Sequence, residues 1–78
     1  MPNARLHAAI LDHLRSAGEP VRESFLYERV GGADLATPDL YLAALVRLEV
    51  DGRVHVDPVH DEVKDPAPFQ PRFWRIID

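Results

Sequence analysis

Thr37-Pro38-Asp39-Leu40-Tyr41-Leu42-Ala43-Ala44-Leu45-Val46-Arg47-Leu48-Glu49-Val50-Asp51-Gly52-Arg53-Val54-His55-Val56-Asp57 reads as a capped helix that glycine stops and that runs directly into a strand. Thr37 is a good N-cap. Pro38 suits the first helical position, where its missing N–H would have no partner anyway, and Asp39 complements the positive end of the helix dipole. Leu40, Tyr41, Ala44, Leu45 and Leu48 recur at helical spacing and give the stripe expected to be buried. Gly52 supplies a left-handed residue past the helix end, and Val54 and Val56 then alternate with His55 and Asp57. The reading predicts a helix over about 38–51 and a strand over about 53–57.

Working outward toward the N-terminus, Gly31 to Ala36 forms a connection longer than a tight helix-turn-helix uses. Before it, Phe25, Leu26 and Val30 share one side of a short helix predicted over about 22–30, with Glu23, Glu28 and Arg29 expected outside. Glu19-Pro20-Val21 breaks the helical pattern and leaves an extended residue able to pair as a short strand. Leu6, Ala9, Ile10, Leu14 and Ala17 mark a first helix over about 3–17, ended by Gly18. On the other side of the quoted stretch, Asp57 to Pro71 holds four prolines and the acids Asp57, Asp61, Glu62 and Asp65 against one lysine, a loop composition. Arg72-Phe73-Trp74-Arg75-Ile76-Ile77 is rich in strand formers and is expected, over about 72–77, to pair antiparallel with 53–57. The predicted order is helix, short strand, helix, helix, strand, strand in one α+β domain spanning 1–78.

Ala44-Leu45-Val46-Arg47-Leu48-Glu49-Val50-Asp51-Gly52-Arg53-Val54 is similar to the Leu-x-x-Leu-Glu-x-x-Gly-x-Val/Ile run that ends the third helix of many bacterial regulators. On this run and the order of elements, the chain resembles the winged helix-turn-helix superfamily over nearly its whole length. The resemblance implies a three-helix bundle with a C-terminal two-stranded wing and a third helix whose outer face meets a macromolecule. The extended connection before Thr37 and the long wing loop depart from the compact pattern.

Composition narrows the partner. With thirteen acidic and nine basic residues the net charge is −4, which does not favour a polyanion at long range. Hydrophobic residues make up 46% of the 78 and cysteine is absent, so a single core must hold by packing, without disulfides or thiolate-bound metal. The start of the sequence carries no apolar leader and no run long enough for a bilayer, and the expectation is a soluble cytoplasmic protein.

The third helix presents Asp39, Leu42, Ala43, Val46 and Arg47 outward, with Val50 close by, and only Arg47 among them suits DNA. One reading tucks Leu42 and Val46 against the wing or the long connection. The other makes Leu42, Val46 and Val50 an apolar stripe for a protein partner or a second copy, joined by Phe73 and with Arg47 and Arg75 at its rim. Strand alternation puts Trp74 and Ile76 toward the core and Phe73, Arg75 and Ile77 outside, unless the faces are reversed or the first helix covers Phe73. The alternative function is a DNA-binding transcriptional regulator using Thr37, Arg47, Arg53, Arg72 and Arg75, supported by Arg22. Against it stands the simpler reading in which these arginines pair with Glu19, Glu49, Asp51 and Asp57 at the surface.

Metal binding and catalysis have little to rest on. His55, Asp57, His60 and Asp61 are close in sequence but match no metal-site spacing, and His7 and His13 lie too far round one helix to share an ion. Ser16 and Ser24 lack a base at useful spacing, and no glycine-rich phosphate loop is present. The expectation is a non-enzymatic binding module with no cofactor, no metal, no small-molecule substrate and no membrane contact.

Overall fold

The computed structural model describes residues 4–58 and 64–77. The elements run α1 (Ala4–Ala17), β1 (Val21–Arg22), α2 (Glu23–Arg29), a single 3-10 turn (Gly32–Asp34), α3 (Pro38–Val50), β2 (Val54–Pro58) and β3 (Arg72–Ile76). Three helices therefore pack with a three-stranded antiparallel sheet in which β3 is central, flanked by β1 and β2. Val21 faces Trp74 across one ladder, and Val54, Val56 and Asp57 face Ile76, Trp74 and Phe73 across the other. The short strand expected around Val21 is real, and it closes the free side of β3.

The core follows from two periodicities meeting. Leu6, Ile10, Leu11 and Leu14 of α1 and Tyr41, Ala44, Leu45 and Leu48 of α3 turn one stripe each toward Val54 and the fully buried Trp74. Alternation along β3 leaves Ile76 half-buried against this core, while Arg75 is exposed on the other face.

The ends of α3 explain its bounds. Thr37 Oγ1 accepts from the Leu40 amide at 3.3 Å. At the far end the Gly52 amide donates to Glu49 O at 3.0 Å and the Arg53 amide to Leu48 O at 2.9 Å, the paired bonds of a Schellman motif. That motif needs a left-handed residue, and Gly52 has φ of 76°.

Four expectations are corrected. Glu23, assigned to the outside of the second helix, is fully buried, whereas Phe25, assigned to its apolar side, is exposed and its place in the core is taken by Tyr27. Seven residues make only two turns, so the angles of α2 are set by what it packs against. Leu40, placed in the buried stripe of α3, is exposed, and Leu42, placed on the outer face, is half-buried against the core. The helix is rolled so that Tyr41 and Leu45 lie at the centre of its inner face. The stretch after Pro58 is a loop as expected where it is described, but a packed one, because Asp65 and Phe69 both return to the body of the domain. Finally, α1 buries Leu11, which the three- and four-residue pattern had passed over, and leaves Ala9 and Ala17 only half-buried.

Candidate functional site

A buried carboxylate organises the region where α2, α3 and the returning loop meet. Glu23 Oε1 accepts from Arg72 Nε at 2.8 Å and from Trp74 Nε1 at 3.0 Å, and Oε2 accepts from the Gln70 amide at 2.7 Å. The Tyr41 hydroxyl donates to the Glu23 carbonyl at 2.7 Å. Burial, and next the Glu23 carboxylate, raise the Tyr41 hydroxyl far above its ordinary range against the opposing charge of Arg72, so it remains a donor. Tyr27, Tyr41 and Phe69 close a ring cluster with centroids 5.0 to 5.9 Å apart. Among the described residues no buried side-chain polar atom lacks a partner. The carboxylate is fully buried and both its oxygens accept hydrogen bonds, so the arrangement serves as a structural joint.

A second joint holds the loop. Arg22 Nε and Nη2 each donate to one Asp65 oxygen at 2.9 Å, and the Ser24 hydroxyl donates to Oδ1 at 2.6 Å. The Asp65 side chain is 3% exposed. Hydrogen bonds from Arg22 and then Ser24 hold its carboxyl below the usual range, against a smaller opposing effect of burial. Ser24, considered above as a nucleophile, is thus a donor to a carboxylate.

These joints use up two of the arginines assigned to DNA. Arg72 is paired with Glu23 and Arg22 with Asp65. Two others are matched at the surface: Arg47 lies 3.3 Å from Asp51, and Arg75 lies 3.5 Å from Asp57, which also meets His55 at 3.1 Å. Of the five arginines named for a phosphate contact, Arg53 alone has no ion pair among the described residues. The carboxylates involved differ in part from those expected, since Glu23 and Asp65 carry the two tightest pairs and Glu19 and Glu49 carry none of them.

The outer face of α3 is different in kind. Around the helix, Asp39, Ala43, Val46 and Val50 lie along one line, with Leu40 and Arg47 on one flank and Leu42 and Glu49 on the other. Val46 is 49% and Val50 72% exposed. Three apolar side chains on the centre of an exposed helix face, with one cation at the edge, form a surface that water solvates poorly.

Phe73 does not join that surface. It is half-buried and lines a groove of about 350 Å³ with His13, Ala17, Pro20, Phe25 and Arg29, to which α3 contributes nothing. Arg29 sits over the Phe25 ring at 4.7 Å. Arg75, likewise assigned to the rim, points from the outer face of the sheet toward Asp57. The six residues expected to make one contact therefore divide between α3, which keeps Leu42, Val46, Arg47 and Val50, and the sheet.

No protein-family profile, curated protein or solved structure matches the chain. Its chemistry rests on its own residues. Among the described residues no three His, Cys, Asp or Glu side chains are grouped to hold a metal ion, and no helix is long and apolar enough to cross a membrane. His60 and Asp61 lie outside the described residues.

The features that sequence reasoning missed are the Glu23 joint and the Phe25–Phe73 groove. Glu23 had one local signal, its place directly after an extended Val21-Arg22 pair, but its partners are 47 to 51 residues away.

Proposed function

We propose that this chain is a winged-helix binding module that works through a protein contact on the outer face of α3. The observation that carries the reading is the apolar line Ala43–Val46–Val50 on the helix face that DNA-reading relatives of this architecture lay in the major groove. Asp39 at its start repels phosphate, and valine at its centre offers nothing to a base edge beyond a methyl contact. The element order and the central β3 support the winged-helix reading, with β2 and β3 as the wing. The neutralised arginines weaken the alternative of a DNA-binding regulator, because a phosphate would have to displace a carboxylate at four of the five cations.

On this reading, binding buries Val46 and Val50, with Leu42 and Arg47 at the edge. The test is capture from a cell extract by the intact chain and by a Val46→Asp, Val50→Asp variant, beside an amide NMR titration with a short mixed-sequence duplex at low salt. A protein retained by the first and lost by the second, with α3 silent toward duplex, is the expected result. Salt-reversible shifts concentrated on Thr37–Arg47 and the wing would overturn it in favour of the DNA regulator.

A further inference from the structure

We infer that the groove walled by α1, α2 and Phe73 binds a small aromatic monocarboxylic acid, with its ring on Phe25 and Phe73 and its carboxylate on Arg29. The inference is independent of the α3 reading, because α3 contributes nothing to this groove. Its volume of about 350 Å³ falls within the size of small-molecule sites, roughly 300–1,000 Å³. Phe25, 47% exposed, is the most open aromatic side chain among the described residues, and the core does not need it, since Leu26 and Tyr27 fill the inner side of α2. Phe73 is half-buried on the same lining.

Chain order gives the groove two unlike ends. His13 and Ala17 lie one turn apart on α1, and Phe25 and Arg29 one turn apart on α2. Residues 18–22 connect the helices, so Ala17 and Phe25 stand nearer that connection along the chain, with His13 and Arg29 a turn further out. Arg29 and His13 make the outer end polar, and Glu19, Pro20 and Val21 form the inner end. Arg29 has no ion pair among the described residues and rests over the Phe25 ring at 4.7 Å. Stacking uses the face of the guanidinium and leaves its N–H fork for a carboxylate, held in orientation before the ligand arrives. His13 adds a ring N–H, present in either tautomer. Arg22 is on the wall but is committed to Asp65, two bonds at 2.9 Å. Glu19, exposed and not paired with Arg29 across the groove, also lines the neighbouring cavity beside Ile76. It sets a selectivity: an acid with an uncharged tail is accepted, and one with a second carboxylate at the far end meets a like charge.

An open site of this size holds a ligand of about ten heavy atoms in the millimolar class, roughly 0.1–5 mM. The test is an amide NMR titration of the intact chain with phenylacetate, its neutral amide phenylacetamide, and the diacid 1,4-phenylenediacetate. Phenylacetate is expected to give saturable shifts on Ala17, Phe25, Arg29 and Phe73, and phenylacetamide to bind about tenfold more weakly. Arg29→Gln is expected to remove that preference for the acid, and Phe25→Ala to weaken acid and amide alike; both side chains are exposed, and an unchanged spectrum elsewhere reports the intact fold. The diacid is expected to bind about threefold more weakly than phenylacetate to the parent and equally well to Glu19→Gln, a gain that no loss of folding can produce. Absence of saturable shifts at about 20 mM phenylacetate, or equal binding of acid and amide in the parent, would overturn the inference. A diacid that binds the parent as well as the monoacid does would overturn the placing of the ligand between Arg29 and Glu19.

Discussion

Glu23 shows how a single residue can hold a small domain together. With no cysteine to cross-link it, the chain relies on packing and on polar joints that span its length. The carboxylate connects the start of α2 to Gln70, Arg72 and Trp74, and its carbonyl takes the Tyr41 hydroxyl. Removing one partner of such a buried set costs more than the net worth of the bonds, because the remaining groups are left unpaired. Glu23→Ala is therefore expected to lower unfolding free energy by about 3 kcal/mol, a large share of the total for a domain this size, read from the urea midpoint at constant m. Tyr41→Phe removes one donor and leaves the ring cluster intact, with an expected loss of about 1 kcal/mol by the same measurement. Equal losses for the two variants would mean that the carboxylate is not the centre of the joint. Asp65 gives a pH signature. Its carboxyl is held below the ordinary value by Arg22 and Ser24, so its contribution is complete above the unfolded value of about 3.9 and is lost as pH falls through the folded one. Stability measured between about pH 2 and 6 is expected to fall less steeply with acid in Asp65→Asn than in the parent. Parallel curves would show that the Arg22 pair gives Asp65 no linkage.

At the scale of elements, the Schellman end of α3 offers a clean test of the turn that leads into β2. A Cβ on Gly52 would meet open space, so Gly52→Ala tests the φ of 76° alone and is expected to cost about 1 kcal/mol. A neutral result in thermal or urea unfolding would mean that the turn relaxes without cost. This end of the helix, its Thr37 cap and the strand after it were legible in the sequence because each depends on neighbours within four or five residues. The alternation that buries Trp74 and exposes Arg75 was legible for the same reason. The α2 region was not, since two turns give periodicity too little length, and Glu23, Phe25 and Tyr27 take their places from partners in α3, β3 and the loop. The candidate site was legible in part: Val46 and Val50 stand exposed as their spacing predicts, whereas Leu42 is half-covered and Phe73 belongs to another groove. The fate of the arginines was the least readable, because a sequence shows charges but not which carboxylate a folded loop brings to each.

For the whole molecule, the question is whether surface charge is arranged for a polyanion. The formal net charge is −4, and four of the five arginines that DNA would need free are held in ion pairs. This makes a distinction between geometry and electrostatics testable on one scaffold. If β2, β3 and α3 have the shape to lie on a duplex but lack available cations, releasing the surface pairs will create affinity. Asp51→Asn and Asp57→Asn together free Arg47 and Arg75 and lift the net charge by two, while the buried joints at Glu23 and Asp65 stay intact. Both acids are exposed and on the surface, so stability is expected to change by no more than about 0.5 kcal/mol. Fluorescence anisotropy with a labelled duplex at about 50 mM salt is expected to show binding that is tighter for the double variant than for the parent and steeper in its salt dependence by about one or two released counterions. A parent chain that already binds tightly, with a salt slope matching several phosphate contacts, would show that the internal pairs open on DNA. The apolar α3 face would then be a groove-facing surface after all.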